Sequence, residues 1–324
     1  MTTDTMQAAT ARRYGGPGVM AIETLPRPVP GPGQVLVKVA AFGVTRGDAR
    51  IRGLDVPRGM GPMVRAFFGW TRPKRPVPGR EFSGVISALG PGVSGWSEGE
   101  PVLGITDGMT MGAGAEYCVV TTDKMLARRP DSLTEAEAAA LPFGLMTAAD
   151  FLIDQMGLRA GERLLVNGGS GAVGMAATWL GAHLGARVTG VASATNHAAM
   201  TAAGAEQVAD YARPLPQGPY DAILDVAGTL PYAKAAPLLA PGGRLGLVTA
   251  DFAGQIGAGL RPRRGSHRLC SGVVKESPEK LARVLDLHAQ GYRPEVTLLP
   301  FAQIEEAHRL ASSGHKRGNV VVTL

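Results

Sequence analysis

LLVNGGSGAVGMAATWL, Leu164 to Leu180, runs from an apolar strand through a glycine turn into an apolar helix. Gly169, Gly171 and Gly174 fall in the order G-x-G-x-x-G between those two elements. In that setting each glycine has a task. The first permits a tight turn, the second lets backbone approach a pyrophosphate, and the third lets helix pack on strand. The helix start adds N–H groups and a positive dipole end suited to phosphates. No GK[ST] follows, which excludes an ATPase-type phosphate loop.

The residues around this turn alternate between strand and helix. Arg163–Asn167, Arg187–Ala192, Tyr220–Val226, Arg244–Thr249 and Arg268–Val274 read as strands; 172–184, 197–203 and 233–239 read as helices. That spacing implies right-handed βαβ units and a doubly wound parallel sheet. Upstream, 133–156 is Ala-rich, with Thr134 as N-cap and an interruption expected near Pro142. The first 125 residues read instead as all-β: QVLVKVAAFGV (34–44) alternates apolar and polar, and FSGVISAL (82–89) and YCVVT (117–121) are strand-like between Gly/Pro clusters. The tail adds a helix at 278–290, the strand-like EVTLLP, a helix at 301–313 and NVVVTL. The expected order is a β module, an α/β module, and a return segment that completes the first.

Composition narrows the function class. The 324 residues are 45% hydrophobic and 19% charged, in the range of a globular protein of two domains. No apolar run of membrane-spanning length and no signal-peptide core are evident, so no membrane partner is expected. Two cysteines, Cys118 and Cys270, give neither a disulfide framework nor a zinc motif, which fits a reducing cytoplasm. The net charge of +6 gathers in RAFFGWTRPKRPVPGR (65–80) and RPRRGSHR (261–268), both loop-like, with no coherent basic face for nucleic acid.

The tip of the second strand of the α/β module selects the dinucleotide. NAD sites place Asp or Glu there for the ribose diol. Here the tip reads Val191-Ala192-Ser193-Ala194-Thr195-Asn196-His197, with no acid before Glu206. A 2′-phosphate meets no repulsion, and Ser193, Asn196 and His197 offer hydrogen bonds to it. NADP(H) is therefore expected over NAD(H), although no Lys or Arg stands at the tip.

Taken in order, GPGQVLVKVAAFGV, RGDARIRG, PVPGREFSGVISALGPGV, AEYCVV, LPFGLMTAAD, NGGSGAVG, GAEQVADY, LAPGGRLGLV and GHKRGNVVV resemble the medium-chain dehydrogenase/reductase superfamily in its zinc-independent quinone-oxidoreductase branch. The resemblance implies an α/β protein with a GroES-like β-barrel catalytic domain (1–126 and 275–324) around a Rossmann domain (127–274). It implies that Ser170, Gly171, Ala172 and Val173 lie under the pyrophosphate, and that Ser193, Asn196 and Tyr211 surround the adenosine phosphate. Ala227 and Thr249 would flank the nicotinamide ribose and amide, Thr147 would face the nicotinamide, and Asn319 would close the site. Relatives pair the sheet edge formed by 268–274 across a two-fold axis, so a homodimer is expected.

The departures also inform. Zinc-dependent relatives place a Cys where Thr45 lies and the His of G-H-E where Gly79-Arg80-Glu81 stands; the four-cysteine lobe is absent. Glu81 alone cannot form a first shell, so no zinc is expected. The quinone-reductase branch often has Asn at the Thr45 position and Arg near Thr195, and neither is present. Without a metal, the expected reaction is hydride transfer from NADPH to an activated double bond or quinone: an enone, enal or quinone whose carbonyl spreads the incoming charge. Thr45, Arg46 and Arg80 are candidate donors to the developing oxyanion, with Asp48 orienting Arg46 or relaying a proton. Caps and structural ion pairs are the competing roles for all four. Metal-free carbonyl/alcohol chemistry and a catalytically silent NADP(H)-binding protein are the alternative functions.

Overall fold

A computed structural model describes residues 4–55, 61–106, 110–249, 263–314 and 316–324, the Met63 side chain apart. Arg261 and Pro262 of the second basic loop, Gly108 and Met109 of GMTMG, and His315 of the tail motif lie outside these residues.

In chain order the first elements are β1 (Thr5–Ala11), β2 (Met20–Pro26), β3 (Gln34–Val44), α1 (Arg46–Gly53) and α2 (Gly61–Phe68). Next come β4 (Glu81–Leu89), β5 (Pro101–Ile105), β6 (Tyr117–Thr121), β7 (Leu126–Arg128) and α3 (Glu135–Ala149), which runs on as π-helix to Gln155. The α/β part follows: β8 (Arg163–Asn167), α4 (Ala172–His183), β9 (Arg187–Ala192), α5 (His197–Ala202), β10 (Gln207–Asp210), β11 (Tyr220–Asp225), α6 (Tyr232–Ala235), β12 (Leu239–Leu247), β13 (Arg263–Arg264) and β14 (His267–Ser271). The return consists of α7 (Pro278–Ala289), β15 (Val296–Pro300), α8 (Ile304–Ser313) and β16 (Asn319–Thr323).

Two compact units result. Among the described residues the first holds 4–55, 61–142 and 276–324, and the second holds 143–249 and 263–275. The break thus falls within α3, not at 126/127. The physical reason is that β7 pairs with β5, while Ala139 and Ala140 of α3 pack with Ala41 and Val321. Thr134 caps this helix as expected: its hydroxyl accepts from the Glu137 N–H at 3.3 Å while the Glu137 carboxylate accepts from the Thr134 N–H at 2.9 Å, a reciprocal capping box. Pro142 does not interrupt it. The helix passes through the proline, although a proline there removes one backbone hydrogen bond. Glu135–Gln155 is long and apolar enough to cross a bilayer by length and composition. Yet 78% of its most apolar window is buried inside the protein, as in a core helix.

In the first unit β3 is the hub. It pairs antiparallel with β4, β6 and β16, giving the order β15-β16-β3-β4-β5-β7 with β6 also on β3. Its alternating side chains feed a core that includes Val35, Val37, Phe42, Phe82, Ile86, Val120 and Val322. This is the GroES-like unit, built from both ends of the chain. In the second unit the sheet order is β10-β9-β8-β11-β12-β14-β13, parallel throughout except for β13, which is the Rossmann arrangement. The fold class is therefore the one the alternation implies. One detail differs: β14 is not the edge strand, because two residues of β13 pair antiparallel with it.

Candidate functional site

The glycine turn leaves β8 and enters α4. The N–H groups of Gly168 and Gly169 both donate to the Val191 carbonyl, at 3.0 and 2.9 Å, tying the turn to β9. Gly168 has φ +83°, and a Cβ there would lie 2.9 Å from the Ala227 nitrogen. Sequence reasoning passed over this residue; its signal is the doubled glycine after Asn167. A Cβ on Gly174 would lie 2.2 Å from the Gly168 carbonyl oxygen, so the third glycine is where helix meets turn. Gly171 is the opposite case. It is the N-cap of α4 with no side-chain cap, and a Cβ there would meet nothing within 4 Å. The Cβ direction at Gly171 is thus open, at a helix start where N–H groups need acceptors from outside the helix.

Several of the other cofactor candidates gather at the carboxyl ends of the strands. β8 and β11 are neighbours where the strand order reverses, the place where such sheets bind ligands. There Asn167 donates to Asp225 at 2.8 Å and to the Thr229 hydroxyl at 2.9 Å. Asp225, buried, also accepts from the N–H groups of Gly228 and Leu230, both at 2.9 Å. Ala227 donates its N–H to the Asn167 carbonyl at 3.3 Å, and the Thr249 hydroxyl donates to the Val226 carbonyl at 3.1 Å. Thr147 is buried in α3. Asn167 and Asp225 were missed from sequence, where only their places at strand ends could have marked them.

At the tip of β9, Asn196 donates to the Ser193 hydroxyl at 3.0 Å, and the Ser193 and Thr195 hydroxyls lie 3.0 Å apart. The His197 Nε2 is buried with no hydrogen-bond partner among the described residues. This nitrogen is a buried polar atom that the described residues leave unsatisfied. Tyr211 is exposed and donates its N–H to the Ala192 carbonyl at 3.3 Å. One carboxylate escaped the sequence reading: Asp210, on β10, stands in register with Ala192 and accepts from the Ala212 N–H at 2.9 Å. Asn319 belongs to the first unit, where its amide donates to the Glu295 carbonyl at 3.1 Å.

The four catalytic candidates lie in the first unit, and each has a protein partner. Thr45 caps α1, donating its hydroxyl to Asp48 at 2.6 Å and accepting from the Asp48 N–H at 3.3 Å. Asp48 is buried, and its second oxygen accepts from the Gly79 N–H at 3.1 Å. It does not orient Arg46, whose guanidinium donates to the Ser312 carbonyl and lies 3.6 Å from Asp55. Arg80 makes a two-pronged ion pair with Glu276, at 2.9 and 2.8 Å, and donates to the Thr106 carbonyl at 3.2 Å. Nearby, burial lowers Lys316 to about 8, with Arg46 adding to the shift and Glu81 and Asp48 opposing it. Burial also lowers His308 to about 4, with Arg52 adding and Asp48 opposing.

No cluster of three His, Cys, Asp or Glu side chains exists among the described residues. Asp48 directs its oxygens to Thr45 and Gly79.

Comparison with known proteins agrees with the geometry. Residues 31–131 match the alcohol dehydrogenase GroES-like domain, and residues 203–322 match the family described as zinc-binding dehydrogenase. A chloroplastic quinone-oxidoreductase of Triphysaria versicolor is 27% identical over 98% of both chains. The quinone oxidoreductase structure from Coxiella burnetii has a TM-score of 0.87 at 25% identity, covering 99% of this chain and all of its own. A mycobacterial protein solved with NADPH has a TM-score of 0.79 at 27% identity, covering 98% of this chain and all of its own. The chain belongs to the medium-chain dehydrogenase/reductase superfamily, in its quinone-oxidoreductase-like branch.

Proposed function

We propose that the protein is an NADPH-dependent, zinc-independent oxidoreductase that reduces an activated double bond or a quinone. The coarser part, an NAD(P)H oxidoreductase of the medium-chain type, accords with its relatives. The observation that carries the finer part is the open backbone at Gly171, joined to a β9 tip of Ser193, Asn196 and the unpartnered His197 with no carboxylate of its own.

When bound, a nicotinamide dinucleotide supplies a hydride. The chain's residues then have separable tasks. Ser170 to Gly174 hold the phosphates by backbone, and Ser193, Asn196, His197 and Tyr211 recognise the adenosine phosphate. Ala227, Thr249 and Thr147 border the ribose and nicotinamide. Thr45, Asp48, Arg46 and Arg80 are committed to protein partners and act as positioning residues. A conjugated carbonyl suits this arrangement, since it spreads incoming charge over its own atoms. Lys316, whose ammonium burial makes a stronger acid by lowering it to about 8, is the group we assign to proton return.

Asp210 favours a second reading, NADH use, by placing a carboxylate opposite Ala192. Two buried, unpaired cysteines suit a reducing cytoplasm, and we expect a homodimer in solution. Metal analysis followed by titration with NADPH and NADH, read by nucleotide fluorescence, tests the proposal. Tighter NADPH binding and chelator-resistant turnover of enones or quinones are expected. Tighter NADH binding would move the assignment to the Asp210 reading. Turnover of simple aldehydes would move it to carbonyl/alcohol chemistry, and no binding to a non-enzymatic role.

A further inference from the structure

α1 carries Arg46, Arg50 and Arg52 within eight residues, and all three line one cavity of about 320 Å³. The opposite wall is the Gly15–Pro17 loop, with Ser312 and Asp55 completing the rim. Three guanidinium groups and one carboxylate thus border the same space, and that carboxylate is 76% exposed.

Arg46 lies 3.6 Å from Asp55, one carboxylate for three guanidinium groups, and the remaining bonds do not neutralise them. Arg52 donates to the Gly15 carbonyl at 2.8 Å and to the Ser312 hydroxyl at 2.9 Å; Arg46 donates to the Ser312 carbonyl. All these acceptors are uncharged. The Arg50 guanidinium makes no hydrogen bond and no ion pair among the described residues, its carbonyl accepting from the Asp55 N–H at 3.1 Å. Burial and the neighbouring Arg46 both push its guanidinium down, and Asp55 is the group that opposes them. Two other negative sources fall short. The carboxyl end of α1 supplies roughly half an elementary charge. Asp48 directs its oxygens to Thr45 and Gly79, and it makes no contribution to the downward shift of Arg52, which comes from burial.

We propose that this cavity is a binding site for a phosphate-bearing anion, gripped by Arg50 with Arg46 and Arg52 beside it. Guanidinium forks match phosphate oxygens in pairs, and a dianion balances the excess positive charge of the lining. The site lies within the first unit and uses none of the residues of the α4 phosphate turn. Neither nucleotide nor substrate enters the primary measurement, so its failure is separable from failure of the oxidoreductase reading.

The test is calorimetric titration of the whole protein with inorganic phosphate and with pyrophosphate at matched ionic strength, chloride serving as control. Three variants accompany it. Arg50→Gln removes the unpartnered charge, Arg50→Lys keeps charge but loses the fork, and Gly171→Asp repels phosphate from the α4 turn. Saturable binding is expected in the wild type and in Gly171→Asp, weakened about tenfold by Arg50→Gln and less by Arg50→Lys. If Arg50→Gln does not fold, Arg50→Lys carries the comparison. Absence of binding above the chloride control would overturn the proposal. So would loss in Gly171→Asp with retention in Arg50→Gln, since phosphate would then sit at α4. Competition by NADPH, with weaker NADPH binding by Arg50→Gln, would assign the cavity to the nucleotide and end the case for a separate site.

Discussion

Asn167 and Asp225 meet across the carboxyl ends of β8 and β11, the amide of one donating to the carboxylate of the other at 2.8 Å. Because Asp225 also accepts from Gly228 and Leu230, one buried side chain holds the turn that presents Ala227. Asp225→Ala strands three donors, and an unsatisfied buried group costs about 1–3 kcal/mol. We expect Asp225→Ala to lose about 3 kcal/mol of stability in urea unfolding and to weaken NADPH binding. A variant of wild-type stability would show that water or backbone rearrangement replaces the carboxylate.

The glycines of the turn should separate into two kinds. Gly174→Ala puts a methyl 2.2 Å from a backbone oxygen that cannot swing away, so it should unfold more easily and bind nucleotide poorly. Gly171→Ala meets nothing and has φ −77°, so its melting temperature should stay within about 2 °C of wild type. Paired melting curves and nucleotide titrations decide. Equal behaviour of the two variants would contradict the close approach at Gly174.

Arg80 and Glu276 are each about a quarter exposed, so their pair should be worth about 1 kcal/mol rather than the value of a fully buried bridge. Arg80→Ala and Glu276→Ala should lower stability similarly, and the double variant should lose little more than either single one. Were Arg80→Ala to depress kcat with unchanged stability while Glu276→Ala did not, Arg80 would act on the substrate itself.

His308 is fully buried in α8, and neither ring nitrogen has a partner among the described residues. Its folded value of about 4 lies below the ordinary 6.5, so the unfolded chain binds the extra proton first as pH falls. The stability is present above pH 6.5 and declines between 6.5 and about 4, by about 3 kcal/mol at most. His308→Leu should flatten that acid limb; an unchanged limb assigns it to other groups.

For Lys316 the proton is needed for work. If it returns a proton to substrate, kcat should fall as pH rises through about 8, the limb on which the ammonium is lost. Lys316→Met should have lower kcat and no such limb. Retention of the limb would place proton return elsewhere.

What was legible in the sequence was what is local. The strand, glycine turn and helix at 164–180 are contiguous, and strand–helix alternation is enough to imply the parallel sheet. The capping box of Thr134 and Glu137 is likewise a three-residue spacing. The partners that decide whether Arg80 or Arg46 is free lie at Glu276 and Ser312, far along the chain, and no periodicity points to them. β13 went unseen because two residues carry no pattern, and Pro142 misled because propensity yields to packing where a helix is buried on most sides. Asp210 reaches the tip of β9 through strand register, which sequence order conceals.

The pairing of β16 with β3 joins residues from opposite ends of the chain, Val320 beside Val44 and Thr323 beside Ala41. During synthesis on the ribosome, residues 143–275 are extruded before β16 exists, so the Rossmann unit can close as a contiguous stretch while β3, already paired with β4 and β6, waits with residues 41–44 of one edge open. Contacts of such long sequence separation are slow to form. The waiting strand, apolar along most of its length, is then the part of the nascent chain most exposed to wrong partners, and a chaperone arriving early would find its work at β3.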